Sequence, residues 1–301
     1  MKKSILGASA LLAAASAFAF TTWNGTDGVY QIDTELDAGT ETAGYWFIYN
    51  DKDDGGASSI TWPVDPGNEY SKDALDPIID YCGGVCGTYT LDKGTLTYDP
   101  FVGIGFNVAG EDESGTAAPT DASGMGGVTI GYSCDVAAAL EMGLGDAGDA
   151  EIGWDNPAAS LPKAASGVIK TFTWSQFKQA GWGSGKITGD AASKKLVALK
   201  MKIQAKTGST GQFNIYCVGD ASATCGTGPA IGAKAAQATL KAQLSGRTLS
   251  FAKTVAKAEI INLQGQVVMA ASSVKSMDLS KVQAGVYMVR AEGLSQQIMV
   301  K

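Results

Sequence analysis

Between residues 20 and 220, apolar and polar residues alternate in short runs that are separated by clusters of Gly, Asp, Pro and Ser. Alternation places every second side chain on the same face of a strand, whereas a helix would repeat every third or fourth position. Many short strands with turn residues between them favour two packed sheets. We therefore predict an all-β sandwich for this part of the chain.

Three predicted strands, in residues 103–108, 128–136 and 138–144, share an unusual second face. Their apolar residues lie on one face, and the other face carries Gly, Ser, Thr, Asn and one carboxylate in each of the last two runs. Glycine weakens a strand interior and often marks the close approach of a ligand or another backbone. The pattern predicts one shallow polar groove, although glycines that serve twist or bulges would give the same pattern. The polar candidates on this face are Asn107, Asp135 and Glu141. The alternative for each is an ordinary strand position that faces solvent.

The rest of the chain predicts a second, smaller unit. Residues 221–246 are rich in Ala, Gly, Ser and Thr and are typical of a linker. Short strands recur in residues 247–301, which are enough for a small β-sandwich. Residues 20–230 carry 27 acidic residues against 12 lysines, a net charge of −15, whereas residues 231–301 carry nine basic residues against three acidic ones, a net charge of +6. Opposite charges support two separate domains.

The first 19 residues have the pattern of a secretory signal peptide. Lys2 and Lys3 precede a short apolar stretch, and Ala17 and Ala19 form a small-residue cleavage site. No later segment is long and apolar enough to predict a membrane span. We expect the mature protein to be secreted or displayed on the outer cell surface.

The chain contains no histidine, which excludes several classes of enzyme. Ser-His-Asp triads, Cys-His pairs and His-ligated zinc or iron sites all require imidazole. The acidic part of the chain, residues 20–230, also contains no arginine. It would repel phosphate groups, which argues against a nucleic acid partner.

Five cysteines fit an exported, oxidised chain. Cys82 and Cys86 could close a tight loop, and Cys217 and Cys225 a slightly larger one, which would leave Cys134 unpaired. A metal site is the alternative, but no histidine or second closely spaced cysteine pair completes one. The connectivity stays open at this point.

Four landmarks follow one another in an order typical of a known group of modules. They are Gly44-Tyr-Trp-Phe-Ile-Tyr-Asn-Asp51, Asp54-Gly-Gly56, Gly103-Ile-Gly-Phe-Asn107 and Phe172-Thr-Trp-Ser-Gln-Phe-Lys-Gln-Ala-Gly-Trp-Gly183. Together they resemble galactose-binding-like jelly-roll modules, similar to family-eleven carbohydrate-binding modules and the complex I intermediate-associated protein 30 group. The resemblance covers residues 28–220 and implies a jelly roll that binds β-glucan on a concave sheet.

Two departures from that group matter. Its groove commonly includes an arginine, which residues 20–230 lack, and its closing Asp-Asp is replaced by Val218-Gly-Asp220. No cofactor is expected, and the second departure puts in doubt the structural calcium that related jelly rolls hold. Calcium requires six to eight oxygen ligands, and the donors to inspect for it are Asp33, Asp37 and Asp220.

A sugar site needs flat apolar rings together with planar hydrogen-bonding side chains. The candidates outside the three strands are Tyr49, Trp154, Asp155 and Trp182. Trp154 alternates in phase with Ile152, so a core position is the alternative for it, whereas Trp182 lies between glycines and should be exposed. Trp46 and Tyr49 lie on opposite faces of one predicted strand, so only one of them should reach a ligand.

The end of the chain has its own landmarks. They are Ile260-Ile-Asn-Leu-Gln-Gly-Gln266, Met277-Asp-Leu-Ser280, Ala284-Gly-Val-Tyr-Met-Val-Arg290 and Gln297-Ile-Met-Val-Lys301. This region resembles the C-terminal sorting domain of type IX secretion substrates, in the version carried by secreted proteins of fibre-degrading Fibrobacter. The resemblance implies a partnership with that secretion machinery.

The sequence as a whole predicts a signal peptide over residues 1–19, a carbohydrate-binding jelly roll over 20–220, a linker over 221–246 and a small Ig-like β-sandwich sorting domain over 247–301. The predicted function is non-catalytic binding of a polysaccharide such as β-glucan or cellulose. Two alternatives remain. One is a surface structural or adhesin subunit that binds no sugar, and the other is a glycoside hydrolase that uses Asp135 and Glu141 as its two acids.

Overall fold

The computed structural model describes residues 20–36, 42–68, 71, 73–226, 242–262, 266–291 and 294–301. The predicted signal peptide, most of the predicted linker and Asp37 lie outside these residues. The strands in the described part are β1 (Trp23–Asn24), β2 (Trp46–Asn50), β3 (Ser59–Thr61), β4 (Val85–Thr90), β5 (Phe101–Asn107), β6 (Gly127–Cys134), β7 (Ala138–Gly143), β8 (Ala158–Leu161), β9 (Ala164–Thr173), β10 (Ala198–Gln204), β11 (Thr210–Asp220), β12 (Ala242–Ser245), β13 (Thr248–Ile261), β14 (Val267–Asp278), β15 (Gly285–Ala291) and β16 (Leu294–Val300). The α-helices are α1 (Asp76–Cys82), α2 (Gly145–Glu151) and α3 (Gly189–Ala192).

Strands β1 to β11 form two antiparallel sheets that pack on one another. The six-stranded sheet has the order β3-β4-β11-β6-β9, with β1 paired to β11, and the five-stranded sheet has the order β2-β5-β10-β7-β8. Most neighbours in these sheets are distant in sequence, as the crossing connections of a jelly roll require. The predicted all-β sandwich is confirmed.

Alternation along each strand decides which residues enter the core between the sheets. The inward residues are Ile104 and Phe106 on β5, Leu140 on β7, and Leu199 and Met201 on β10, and all five are buried. Each lies two positions from the next inward residue, which is the period of a strand. The other face of the five-stranded sheet therefore carries the residues in between.

Strands β12 to β16 belong to a second five-stranded sheet with its own apolar core. The long strand β13 pairs with β12, β14 and β15, and β15 pairs with β16. Arg247 fixes the turn after β14, because its Nη1 donates to the carbonyl oxygens of Ser280 at 3.2 Å and Val282 at 2.7 Å. The predicted all-β tail is confirmed.

Both of the possible cysteine loops are closed by disulfides, which decides the connectivity. Cys82–Cys86 joins the end of α1 to β4, and Cys217–Cys225 joins β11 to the segment that follows it. Cys134 is the remaining, buried thiol, and burial is the main cause that raises its pKa to about 11. The thiol is therefore protonated and unreactive at neutral pH.

Candidate functional site

The surface of the five-stranded sheet that faces away from the core is built by side chains from β2, β5, β7 and β10. Two rows of cross-strand partners run along it. One row joins Tyr49, Gly103 and Lys202, and the next joins Phe47, Gly105, Lys200 and Glu141. We call this surface the outer face; its residues are Phe47, Tyr49, Phe101, Gly103, Gly105, Asn107, Glu141, Lys200 and Lys202.

The glycines of the outer face admit aromatic rings from the neighbouring strand. A Cβ atom added to Gly103 would lie 2.0 Å from Cε1 of Tyr49, and one added to Gly105 would lie 2.8 Å from Cζ of Phe47. Contacts under 3 Å are not tolerated by real Cβ atoms. The space above these glycines is therefore filled by the protein's own rings.

The charged groups of the outer face are paired with one another or with the neighbouring Asp149. The Nζ atom of Lys202 lies 3.5 Å from Oε1 of Glu141, and that of Lys200 lies 3.7 Å from Oδ2 of Asp149. The four side chains are only 12–20% exposed. Lys200 also places its ammonium group 5.5 Å from the ring centroid of Tyr49. These groups thus satisfy each other's charge within the face.

The Tyr49 hydroxyl lies inside this cluster. It is shielded from solvent and has no hydrogen-bond partner of normal geometry, although Glu141 is close by. Burial, and after it the negative charge of Glu141, holds the pKa of Tyr49 well above its ordinary value. The phenol is therefore neutral at physiological pH. Trp46 lies on the opposite face of β2, as predicted, with its ring centroid 5.6 Å from that of Phe106 in the core.

The three polar candidates of the predicted groove do not share one surface. Asn107 and Glu141 lie on the outer face, but Asp135 follows β6 in the other sheet, where its Oδ2 accepts the Gln212 N–H at 2.8 Å. The prediction of a single groove is wrong because β5 and β7 pair with β10, whereas β6 pairs with β9 and β11. The polar residues of β6 are also buried: Thr129 and Ser133 are at most 1% exposed.

The same separation affects the candidate hydrolytic pair. Two glycosidase carboxyl groups must flank one bond at a separation of roughly 5–10 Å. Asp135 and Glu141 belong to different sheets, and Glu141 is paired with Lys202. These two residues therefore do not form an acid and base that face one another.

Two tryptophans on neighbouring loops are the most exposed large rings in the described residues. Trp154 is 64% exposed and Trp182 is 66% exposed. Trp182 was predicted to be exposed, and this is confirmed. Trp154 does not follow the expected alternation with the buried Ile152, because this segment is a turn after α2 in which Gly153 and Trp154 both have a left-handed φ, +65° and +58°. Non-glycine residues rarely adopt this conformation.

Asp155 binds the two tryptophan-bearing loops together. Its carboxylate accepts the backbone N–H groups of Ala180 at 2.9 Å, Gly181 at 2.7 Å and Gly183 at 3.1 Å. The loops also touch, because a Cβ atom on Gly183 would lie 2.1 Å from the carbonyl oxygen of Ile152. Trp154 and Trp182 each stand next to a residue that makes these contacts. We call Trp154 and Trp182, on the two loops that Asp155 joins, the tryptophan rim.

The ionised state of Asp155 suits this positioning role. Burial opposes the charge, but the N–H groups of Gly183, Gly181 and Ala180 outweigh it, so the pKa of Asp155 lies below its ordinary value. The side chain is only 2% exposed. Asp155 was predicted as a ligand contact, whereas the structure uses both of its oxygens to hold a loop.

Asp149 connects the tryptophan rim to the outer face. It forms the ion pair with Lys200, its carbonyl oxygen accepts the Trp154 N–H at 2.7 Å, and its Oδ1 accepts the Leu144 N–H at 2.8 Å. The sequence offered little signal for Asp149, because it lies in a run of acidic residues that reads as a solvated loop. Lys200 points outward because apolar and polar residues alternate along β10, with Leu199 and Met201 in the core.

The two candidate calcium ligands among the described residues, Asp33 and Asp220, do not form a metal site. Oδ1 of Asp33 accepts the Glu35 N–H, and Oδ1 of Asp220 accepts both the N–H and the hydroxyl of Ser222. These are local turn contacts. Among the described residues, no group of three or more Asp, Glu, Cys or His side chains could hold a metal. Asp37 lies outside them.

Replacement of Asp155 by alanine should destabilise the sandwich. Three N–H groups lose a charged acceptor, at a cost of about 2–3 kcal/mol, which lowers the melting temperature by roughly 5–10 °C. Because the pKa of Asp155 is lowered on folding, its contribution is complete above the unfolded value of 3.8 and is lost as pH falls through the folded value.

Thermal unfolding at pH 7 and at pH 3 measures this effect. The wild-type advantage over Asp155→Ala should shrink at the lower pH, and Asp146→Ala, at an exposed residue of α2, should leave the melting temperature unchanged. An advantage that stays the same down to pH 2 would contradict a role for the ionised carboxylate.

Comparison with known proteins identifies the end of the chain. Residues 241–301 match the family described as the secretion system C-terminal sorting domain. The predicted sorting domain is confirmed. It marks the protein for export by the type IX system to the cell surface or the extracellular space. No helix in the described residues has the length and apolar character required to cross a membrane.

One curated relative is Endoglucanase 3 of Fibrobacter succinogenes, which is 31% identical over 139 residues. The match covers 46% of this chain and 19% of the endoglucanase. The chain thus spans about a fifth of the length of that relative.

Two solved structures that resemble this chain are family 11 carbohydrate-binding modules. The family 11 carbohydrate-binding module of a cellulosomal cellulase of Clostridium thermocellum is 14% identical, with a TM-score of 0.34 and coverage of 68% of this chain and 96% of that one. The family 11 module from Clostridium thermocellum in complex with a β-1,3-1,4-mixed-linked tetrasaccharide is also 14% identical, with a TM-score of 0.32 and coverage of 62% and 93%. A similarity to this family is confirmed, at a level that implies nothing about the ligand. The resemblance to the complex I intermediate-associated protein 30 group stays an expectation.

Proposed function

We propose that this protein is an exported, non-catalytic polysaccharide-binding protein. The observation that carries the proposal is the tryptophan rim, where two large rings stand about two thirds exposed on loops that a buried carboxylate holds in place. An exposed tryptophan contributes little to folding, because its apolar surface stays in water. Such rings are suited to the C–H face of a sugar, which is flat and apolar.

Charge and chemistry narrow the class of ligand. A domain with a net charge of −15 over residues 20–230 repels polyanions, which favours a neutral polymer. The partial similarity to an endoglucanase makes glucans the first class to test. Export by the sorting domain would bring the protein to extracellular polysaccharides.

The chemistry of the outer face supports a role without catalysis. The chain has no histidine, and Glu141, the best-placed carboxylate of the face, is paired with Lys202. A glycosidase acid needs an environment that raises its pKa, such as an apolar pocket. The environment of Glu141 is instead an ion pair, with the Nζ atom of Lys202 at 3.5 Å.

Binding is tested with the full chain on insoluble cellulose and by affinity electrophoresis in gels that contain β-glucan, xylan or mannan. We expect adsorption or retardation on at least one of these and no release of reducing sugar. An absence of binding to all of them would overturn the proposal and favour a structural surface subunit. Release of reducing sugar that Glu141→Gln abolishes would favour a hydrolase.

A further inference from the structure

We infer that the protein binds the surface of an insoluble polysaccharide through the tryptophan rim, and does not bind a single soluble chain along the outer face. This inference rests on the proposed function and adds the physical form of the ligand and the place where it binds. Three observations carry it: the filled outer face, the open rim and the fixed arrangement of the two loops.

The outer face has few free groups to offer to a sugar chain. The rings of Tyr49 and Phe47 occupy the space above its two glycines. Its lysines are paired with Glu141 and Asp149, and Lys202 also lies 4.6 Å from the ring centroid of Phe101. A sugar hydroxyl that bound here would have to replace contacts between charged groups, which are stronger than those a neutral hydroxyl makes.

The tryptophan rim has the opposite character. With exposures of 64% and 66%, neither ring lies between the walls of a cleft. Sites for soluble ligands bury most of the ligand surface, typically 70–90% of it. A ring that has no protein surface opposite it can contact only one side of a sugar. Chains at the surface of an insoluble polysaccharide present only one side, because their other sides pack against neighbouring chains.

The two rings are presented by a fixed scaffold. Asp155 connects the loops through three N–H groups, and Gln179 adds contacts from its Nε2 to the carbonyl oxygens of Asp155 at 2.9 Å and Gly185 at 3.1 Å. Trp154 is held in a left-handed conformation that non-glycine residues rarely adopt, and such strain clusters at functional sites. Loops that are already held together lose little backbone entropy on binding.

The charges beside the rim favour a neutral surface. Glu151 and Lys195 form an ion pair at 3.4 Å between exposed side chains, so they add no net charge. The excess of acidic residues in this domain opposes anionic lipid surfaces and acidic polymers. A neutral, packed polysaccharide such as cellulose fits both the rings and the charge.

Microcrystalline cellulose and cellohexaose contain the same sugar, the first as an insoluble surface and the second as a single soluble chain. Adsorption of the full chain to the cellulose is measured by depletion, with and without excess cellohexaose, and cellohexaose binding is measured by calorimetry. The variants are Trp154→Ala/Trp182→Ala for the rim, and Phe47→Ala and Lys202→Ala for the outer face. Two outer-face variants are used in case one of them fails to fold, which circular dichroism would reveal.

We expect the full chain to adsorb to cellulose, and we expect cellohexaose not to displace it. The rim variant should lower adsorption at least tenfold, whereas the folded outer-face variants should change it less than twofold. Tight cellohexaose binding that is lost in Phe47→Ala or Lys202→Ala would overturn the inference and leave the proposed function intact. Binding to soluble glucan only would do the same. An absence of binding to every polysaccharide would remove both.

Discussion

Replacing Trp154 and Trp182 together by alanine is expected to lower the partition coefficient of the protein on its polysaccharide by about 100-fold. Each ring contributes roughly 1.4 kcal/mol, or a factor of ten, which is modest for a tryptophan at a binding hot spot. The single variants should each lose about tenfold. Both side chains are largely exposed, so the melting temperatures should stay close to that of the wild type.

Tyr98 supplies a matched control, because it is an aromatic residue with 43% exposure at the opposite end of the five-stranded sheet. Tyr98 lies just before the first residue of β5. The rim comes after the last residue of β7, which lies at the other end of the sheet, beside Asn107. Tyr98→Ala should bind as the wild type does. A double tryptophan variant that adsorbs normally would show that the rim is not the binding site.

Gly103→Ala is expected to cause the largest loss of stability among the substitutions considered, about 3 kcal/mol of unfolding free energy. The added methyl group would lie 2.0 Å from Cε1 of Tyr49 and 2.0 Å from its Cζ. The ring is held between β5 and the ammonium group of Lys200, so it cannot move without disturbing the charged cluster. Urea unfolding measures the change.

Two companion variants test the cause of that loss. Gly103→Ala/Tyr49→Ala should be no less stable than Tyr49→Ala alone, because the clash is gone. Gly226→Ala, at a glycine with no atom within 4 Å of the added Cβ, should be neutral. A Gly103→Ala protein that is fully stable but no longer binds polysaccharide would instead show that the glycine makes room for a ligand.

The face of each strand could be predicted from the sequence because alternation is a local property. It placed the apolar residues of 103–108, among them Ile104 and Phe106, on one face, and the structure buries them in the core. Both cysteine loops could be named as candidates, since their cysteines lie four and eight residues apart, but only the structure fixed the pairing. The sorting domain was recognised from local landmarks in the same way.

The candidate site was predictable only in part. Trp182 was correctly expected on the surface, but Trp154 was left undecided, because it lies in a turn after α2 where Gly153 and Trp154 are both left-handed and no alternation applies. Asp155 was named as a ligand contact, whereas its partners, the N–H groups of Ala180, Gly181 and Gly183, are 25 to 28 residues away. Contacts of that kind depend on how loops meet, which no periodicity encodes.

The sequence alone determined an exported, all-β protein with an acidic region over residues 20–230 and no histidine, because composition and alternation are local properties of the chain. Only the tertiary structure decided which strands became neighbours. Pairing is a choice among distant segments, and it placed Glu141 beside Lys202 and Asp135 in the other sheet. It also filled the space above Gly103 with the ring of Tyr49. That choice closed the predicted groove and left the tryptophan rim as the open surface.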